Sequence, residues 1–365
     1  MDYSRLDPLI SISGEKVTTT EQWEKYRREE IMVLLENFVY GVRPLEKPDE
    51  IFFDVKAVTE NYKGYAIAKK EIEIYFEGYT LPFVLFIPME NYRKVPSPCF
   101  LHVLNEFHLK AEDPANNPDN DFLPVVNICK RGYACAVLST FDVSPDWKHE
   151  TQLKKGVFAV MEKHEHRNNR SWANISGWAF GASRVMDYLE TDNDVYHNKV
   201  AIVGHSRAGK TALWAAATDT RFAISYSNDS GCGGAAFARD NDGERITDIN
   251  ISDWFCDNYK NFNDNENWMP CDQHLLLSAI APRPLYVKSN VEDLWACPKN
   301  ERLSCRLASP VWELYGKKGL IAPEECEVNK PYHEGDIAYH VSEGDHNLTS
   351  FDWELYMDFA DKYLK

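Results

Sequence analysis

The sequence predicts an α/β fold, a mostly parallel central sheet with helices on both faces in a three-layer sandwich. Three observations carry this. Closely spaced strand-like runs fill the stretch from residue 53 to 104. From there to the C-terminus, apolar strand-like runs alternate with helical stretches, the β-α rhythm of a parallel sheet. At residues 200–211 an apolar run meets a helical run with only a few residues between them.

The elements follow in order. A first helix is predicted over 21–40. Thr19 and Gln22 have the spacing of a capping box. Trp23, Tyr26, Leu34, Leu35 and Phe38 recur near helical spacing, and Gly41 closes the end. Strands are expected at 53–58, 66–76, 81–88, 99–104 and 133–138. A long helix over 172–191 carries Trp178 and Phe180. Four more strands fall at 200–203, 222–227, 285–288 and 338–341, and a last helix at 350–364. With no internal repeat and no long low-complexity linker, one domain over 1–365 is expected, with the N-terminal helix and strands of about residues 1–90 packed onto it.

Of the 365 residues, 44% are hydrophobic and 27% charged, which fits a globular chain and excludes a disordered one. The net charge of −17 argues against nucleic acid, whose phosphates require Lys and Arg. It also means that an anionic substrate needs a local basic patch. No apolar run reaches the length of a membrane span, so no membrane partner is expected. The first thirty residues lack the basic start and apolar core of a signal peptide. A cytoplasmic location is expected for the sequence as it stands, and secretion if a leader has been removed. The nine cysteines are an odd number, scattered without CxxC or metal-ligand spacing. Buried, reduced thiols are expected, with no metal and no cofactor, in a monomer.

The chemistry concentrates at Val200-Ala-Ile-Val-Gly204-His205-Ser206-Arg207-Ala208-Gly209-Lys210-Thr211. A serine at a sharp strand-to-helix corner has its Oγ exposed and backbone N–H groups nearby. This is the nucleophile elbow of α/β-hydrolases. Small residues flank it because the two backbones approach closely; Gly204 supplies one, and Ala208 stands where the usual pattern has a second glycine. The same letters match GxxxxGK[ST], the phosphate-binding P-loop. Against that reading, His205 and Arg207 put bulk where phosphate approaches backbone, and the segment follows some five strands. A hydrolase fold that only binds ligand is a third reading, which the presence of a full catalytic set disfavours.

A serine nucleophile needs a base, and the base an orienting acid. In α/β-hydrolases these come in the order Ser, acid, His. His346, in Ser342-Glu343-Gly344-Asp345-His346, lies in the loop after the last predicted strand, where the base belongs. Two acids compete. Asp229 ends the strand after the nucleophile helix, and Asp293 follows the next strand. The later position matches the commoner plan, so Asp293 is favoured and Asp229 stays a candidate. The backbone N–H of Arg207 faces the developing oxyanion in such an elbow, and its guanidinium is a second donor.

The motifs GHSRAGK with ALWAAA, DSGCGGAA, DQHLLLSAIAPRPLYV, EDLWACPK and GDH, in that order, resemble the glucuronoyl esterases, carbohydrate esterase family fifteen. The likeness runs from about residue 172 to the C-terminus. It is closer to bacterial members than to fungal ones, which have Cys where this chain has His205. The resemblance implies cleavage of esters of glucuronic acid, or its 4-O-methyl form, on xylan, with lignin on the alcohol side. It implies Ser206 as nucleophile, His346 as base and Arg207 as oxyanion contact. It further implies that Lys210 and Glu244 bind sugar hydroxyls and that Trp295 lines the sugar pocket. One departure is that fungal members carry Glu at the position of Asp229. An acetyl xylan esterase, or another carbohydrate esterase on the same fold, is the runner-up.

Overall fold

The computed structural model describes residues 6–105, 117–146, 152–164, 166–250 and 253–365. Residues 20–40 form one helical segment, α1, in which α-helical turns alternate with π turns. Its start is the capping box expected from Thr19 and Gln22: Gln22 N donates to Thr19 Oγ1, and Thr19 N donates to Gln22 Oε1, both at 3.2 Å. Its end is Gly41 at φ +83°, packed so tightly on the Ser171–Trp172 backbone that a Cβ would collide with it.

The strands are β1 (Ile51–Thr59), β2 (Ile67–Phe76), β3 (Tyr79–Pro88), β4 (Ser97–Leu104), β5 (Ala134–Ser139), β6 (Val195–His205), β7 (Ile224–Asn228), β8 (Leu285–Asn290) and β9 (Ile337–Ser342). They form one nine-stranded sheet in the order β1-β2-β3-β5-β4-β6-β7-β8-β9. β1, β2, β3 and β5 pair antiparallel. β5, β4, β6, β7, β8 and β9 pair parallel. The principal later helices are α2 (Val125–Lys130), α3 (Asn174–Leu189), α4 (Arg207–Thr218), α5 (Gln273–Ser278), α6 (Pro298–Leu314) and α7 (Ser350–Leu364).

Two apolar clusters lie on opposite faces, and the strands feed them alternately because strand side chains point to opposite faces with period two. Leu101, Val103, Ile202 and Val287 join α1, α3, α4, α5 and α6 on one face. Phe100, Val203, Tyr226 and Tyr286 join α2 and α7 on the other. This is the three-layer α/β-hydrolase sandwich that the alternation predicts. All nine cysteines are free thiols, eight of them buried, as expected. Among the described residues, no helix is long and apolar enough to cross a membrane.

Candidate active site

Four neighbouring parallel strands deliver the site from their C-terminal ends. β6 runs into Ser206, which sits at φ +59° and ψ −128°, and α4 begins at the next residue. A non-glycine residue in that region is strained, and such strain persists only where the surroundings fix it. Here the Ser206 N–H donates to the Asn228 carbonyl at 2.8 Å, tying the corner to β7. Gly204 is obligatory, because a Cβ there would strike the carbonyl of Ala208. The corner is a nucleophile elbow. A P-loop does not fit it: Gly209 and Lys210 are already within α4, and their N–H groups bond the Ser206 carbonyl at 2.9 and 3.2 Å.

The loop after β9 carries His346, whose side chain is 39% exposed. Its Nδ1 lies 2.5 Å from Oδ2 of Asp293, in the loop after β8. A carboxylate accepts only, so Nδ1 bears the proton and Nε2 keeps its lone pair free to accept one. The imidazole packs on the ring of His205, next to Ser206, with centroids 4.4 Å apart. Burial disfavours the imidazolium, but the hydrogen bond that His346 donates to Asp293 and the charges of Asp229 and Asp293 outweigh it, so the His346 pKa lies above its ordinary value.

Asp229, the other candidate acid, is 1% exposed and has φ +43°. One of its ligand atoms, one of Asp293 and one of His346 lie within 4.8 Å of one another. Yet its bonds run elsewhere: Oδ1 accepts from the backbone of Asn290 at 2.7 Å, and Oδ2 faces the Lys288 ammonium at 3.3 Å. Burial pushes its carboxyl up to about 6, against the opposing pull of Lys288 and His346. Two carboxylates and an imidazole are also a donor set a cation accepts, but the Lys288 ammonium already supplies the countercharge from inside the fold.

The remaining expected residues form the wall beside Ser206. Arg207 opens α4, and its guanidinium is paired with Asp146 and stacked over Trp254, 5.0 Å from the ring centroid. Lys210 is 2% exposed. Its Nζ donates to the carbonyls of Ser230 and Cys232 at 2.6 and 2.5 Å and to Glu244 Oε2 at 2.7 Å, engaging all three protons. Glu244 Oε1 in turn accepts from Trp295 Nε1 at 3.2 Å, and the Trp295 side chain stands half exposed at the surface. Lys210 therefore props the loop after β7 and the Glu244 carboxylate, while Trp295 faces outward.

Sequence reasoning missed the floor of the site. Glu301, fully buried on α6, accepts the N–H groups of Ser230 and Gly231 at 2.9 and 3.0 Å and the hydroxyls of Ser230 and Ser289 at 3.0 and 2.6 Å. Burial pushes its carboxyl up to about 8. Lys288 was read only as the last residue of an apolar strand; a lysine on an otherwise apolar, central strand was the available signal. Asp146 and Trp254, which hold the Arg207 head, had no signature at all.

A family model described as glucuronyl esterase, fungi, matches residues 128–316. A carbohydrate esterase of an unknown prokaryotic organism is 36% identical, over 99% of this chain and 90% of its own length. A 4-O-methyl-glucuronoyl methylesterase of Podospora anserina is 26% identical over 85% of this chain, which spans 60% of that protein. Among solved structures, a glucuronoyl esterase from Solibacter usitatus superposes with a TM-score of 0.89 at 34% identity, covering 99% of this chain and 98% of that one. With an elbow serine, a histidine and an acid already in place at the ends of adjacent strands, these likenesses show that the chain belongs to the glucuronoyl esterases, carbohydrate esterase family fifteen, on the α/β-hydrolase fold.

Proposed function

We propose that the site hydrolyses esters of glucuronic acid, the 4-O-methyl form included, by way of an acyl-enzyme on Ser206. The substrates would be glucuronoxylan-derived esters of lignin alcohols. The observation that carries this is the His346–Asp293 hydrogen bond beside the strained elbow serine, in a chain of this family.

His346 Nε2 takes the proton of Ser206 as Oγ attacks the ester carbonyl carbon. The carbonyl oxygen gains the negative charge, and the backbone N–H of Arg207, in the first turn of α4, stabilises it. His346 then returns the proton to the alcohol oxygen as the C–O bond breaks. Water repeats the sequence on the acyl-enzyme: His346 takes its proton, the hydroxide adds to the carbonyl, and Ser206 leaves reprotonated. Asp293 holds the imidazole in the required tautomer and stabilises the imidazolium.

Electrostatics favour an ester over an acid as the bound form. Arg207 is neutralised by Asp146, and Lys210 by Glu244. These two pairs give no net positive charge to hold the released glucuronate, which favours its departure.

The test is a substrate panel. Acid release is measured from benzyl or methyl glucuronate and from acetylated xylan. Preference for the glucuronate esters is the expected result. Higher kcat/KM on acetyl esters would replace the reading with an acetyl xylan esterase.

A further inference from the structure

β8 alternates between the two faces of the sheet. Tyr286 and Lys288 point to the same side, and Tyr286 lies in the apolar cluster beneath α7. An aliphatic side chain would suit position 288. Instead the chain buries an ammonium completely, which is sustained only by paired charge and hydrogen bonds. The partners all belong to the catalytic end of the sheet. Lys288 Nζ lies 3.3 Å from Asp229 Oδ2 and 3.7 Å from Asp352 Oδ2, the latter on α7. It donates to the carbonyl of Asn347, next to His346, at 2.7 Å, and to Asn290 Oδ1. With its amide assigned so that both neighbours are satisfied, Asn228 gives its nitrogen to His205 Nδ1 and its oxygen to Lys288, 3.0 Å away. Asn290 Nδ2 then donates to the carbonyl of Glu343 at 2.9 Å, at the other end of the His346 loop. Below them, Asp352 accepts from Ser342 Oγ at 2.5 Å and from Thr349 N at 2.8 Å and pairs with His340 at 2.9 Å, so both ends of that loop are fastened.

We propose that Lys288 is a positioning residue: its ammonium keeps Asp229 a carboxylate turned toward the sheet, and it pins the His346 loop, so that Asp293 rather than Asp229 takes the imidazole N–H. The inference rests on the reading of His346 as the catalytic base. One cation thus does two things. It lets two acids stand near one imidazole without sharing a proton between them, and it divides their work into a hydrogen-bond acceptor, Asp293, and a fixed negative charge, Asp229. Among the described residues, other charged or titratable groups facing this pair are His205 from β6, 3.9 Å from Asp229, and Glu301 from α6, whose carboxyl feels the Asp229 charge. Lys210 from α4 acts on His346 in the opposite sense to the acids. Tyr356 on α7 also feels the Asp229 charge.

The test follows the His346 imidazole titration by NMR in the full-length protein. It uses wild type, Lys288→Met, Asp229→Asn and the double variant, and needs no substrate. Without Lys288, the buried Asp229 takes up a proton and its field at His346 disappears. The His346 pKa is expected to fall by about one unit in Lys288→Met, the scale of an adjacent charge. It should fall equally in Asp229→Asn, and no further in the double variant. The acid limb of kcat/KM on a glucuronate ester moves down with it. A protein in which Lys288 merely fills space would show no such shift. An unchanged or raised titration in Lys288→Met, or a further shift in the double variant, would overturn the proposal. If Lys288→Met does not fold, Lys288→Met/Asp352→Asn removes the second carboxylate left without its cation, and the same titration decides. Absence of ester hydrolysis by wild type would instead count against His346 as base, separately from the NMR result.

Discussion

His346 is gripped by Asp293 at 2.5 Å, while Asp229, within 4.8 Å of the same pair, is held instead by Lys288 at 3.3 Å. Two acids at the ends of adjacent strands therefore occupy different stations around one imidazole.

The first consequence concerns activity. Asp293→Asn is expected to lose on the order of 10⁴ in kcat, because the amide no longer fixes the tautomer or stabilises the imidazolium. Asp229→Asn removes a charge but no hydrogen bond to the base, and should lose at most about a hundredfold. Steady-state kinetics with circular dichroism to verify folding decides this; the reverse ranking transfers the orienting role to Asp229. The pH profile carries the same information. His346 has a raised pKa, so wild-type kcat/KM should fall as pH drops through a value above 6.5, and in Asp293→Asn that limb should lie lower.

Substrate recognition separates two neighbours. Trp295→Ala should reduce kcat/KM on glucuronate esters by about tenfold or more, the ~1.5–3 kcal/mol scale of a large apolar contact. A small activated acetate ester should be spared. Lys210→Met should impair both substrates and lower Tm, since it leaves the Glu244 carboxylate uncompensated at a cost of roughly 3–5 kcal/mol and releases the loop at Ser230 and Cys232. Equal loss on both esters in Trp295→Ala would assign that residue to the fold.

Glu301 links stability to pH. Its folded value of about 8 lies above the ordinary 4.5, so between those limits the folded state holds a proton that the unfolded chain releases. Its contribution to stability therefore falls as pH rises through this window. Glu301→Gln cannot lose that proton. Relative to wild type, the variant should gain in Tm on going from pH 5 to pH 8. Parallel melting curves across the window would show that the carboxyl does not titrate there.

The sequence disclosed the parts whose signals are local. The strand-to-helix corner at Ser206, the capping box at Thr19 and the final helix at Ser350–Leu364 depend on residues within a turn or two of one another. β6 proved longer than its apolar stretch because Tyr196, His197, Asn198 and Lys199 are polar yet extended at the exposed end of the strand. α6, whose bounds the sequence did not mark, runs through Pro310. What was not legible is the long-range pairing: Arg207 with Asp146, Lys210 with the carbonyls of the next loop, Lys288 with three separate segments. A buried ion pair leaves no periodicity in the chain; its only trace is a charged residue at a position whose neighbours are apolar.

The parallel half of the sheet places Ser206, Asp229, Asp293 and His346 beyond the ends of β6, β7, β8 and β9, which adjoin in that order. Chain order and spatial order coincide, and each step between carriers is one inter-strand spacing of about 4.8 Å. Such a site is intolerant of slippage. Sliding β8 by a single residue would send Lys288 to the opposite face of the sheet and carry Asp293 along the strand axis by about 3.3 Å, breaking the grip on His346 while every apolar contact of β1, β2 and β3 stayed in place. Single-residue deletions should therefore partition sharply: lethal to catalysis within β6 to β9, and felt mainly as lost stability in the antiparallel strands at the other edge.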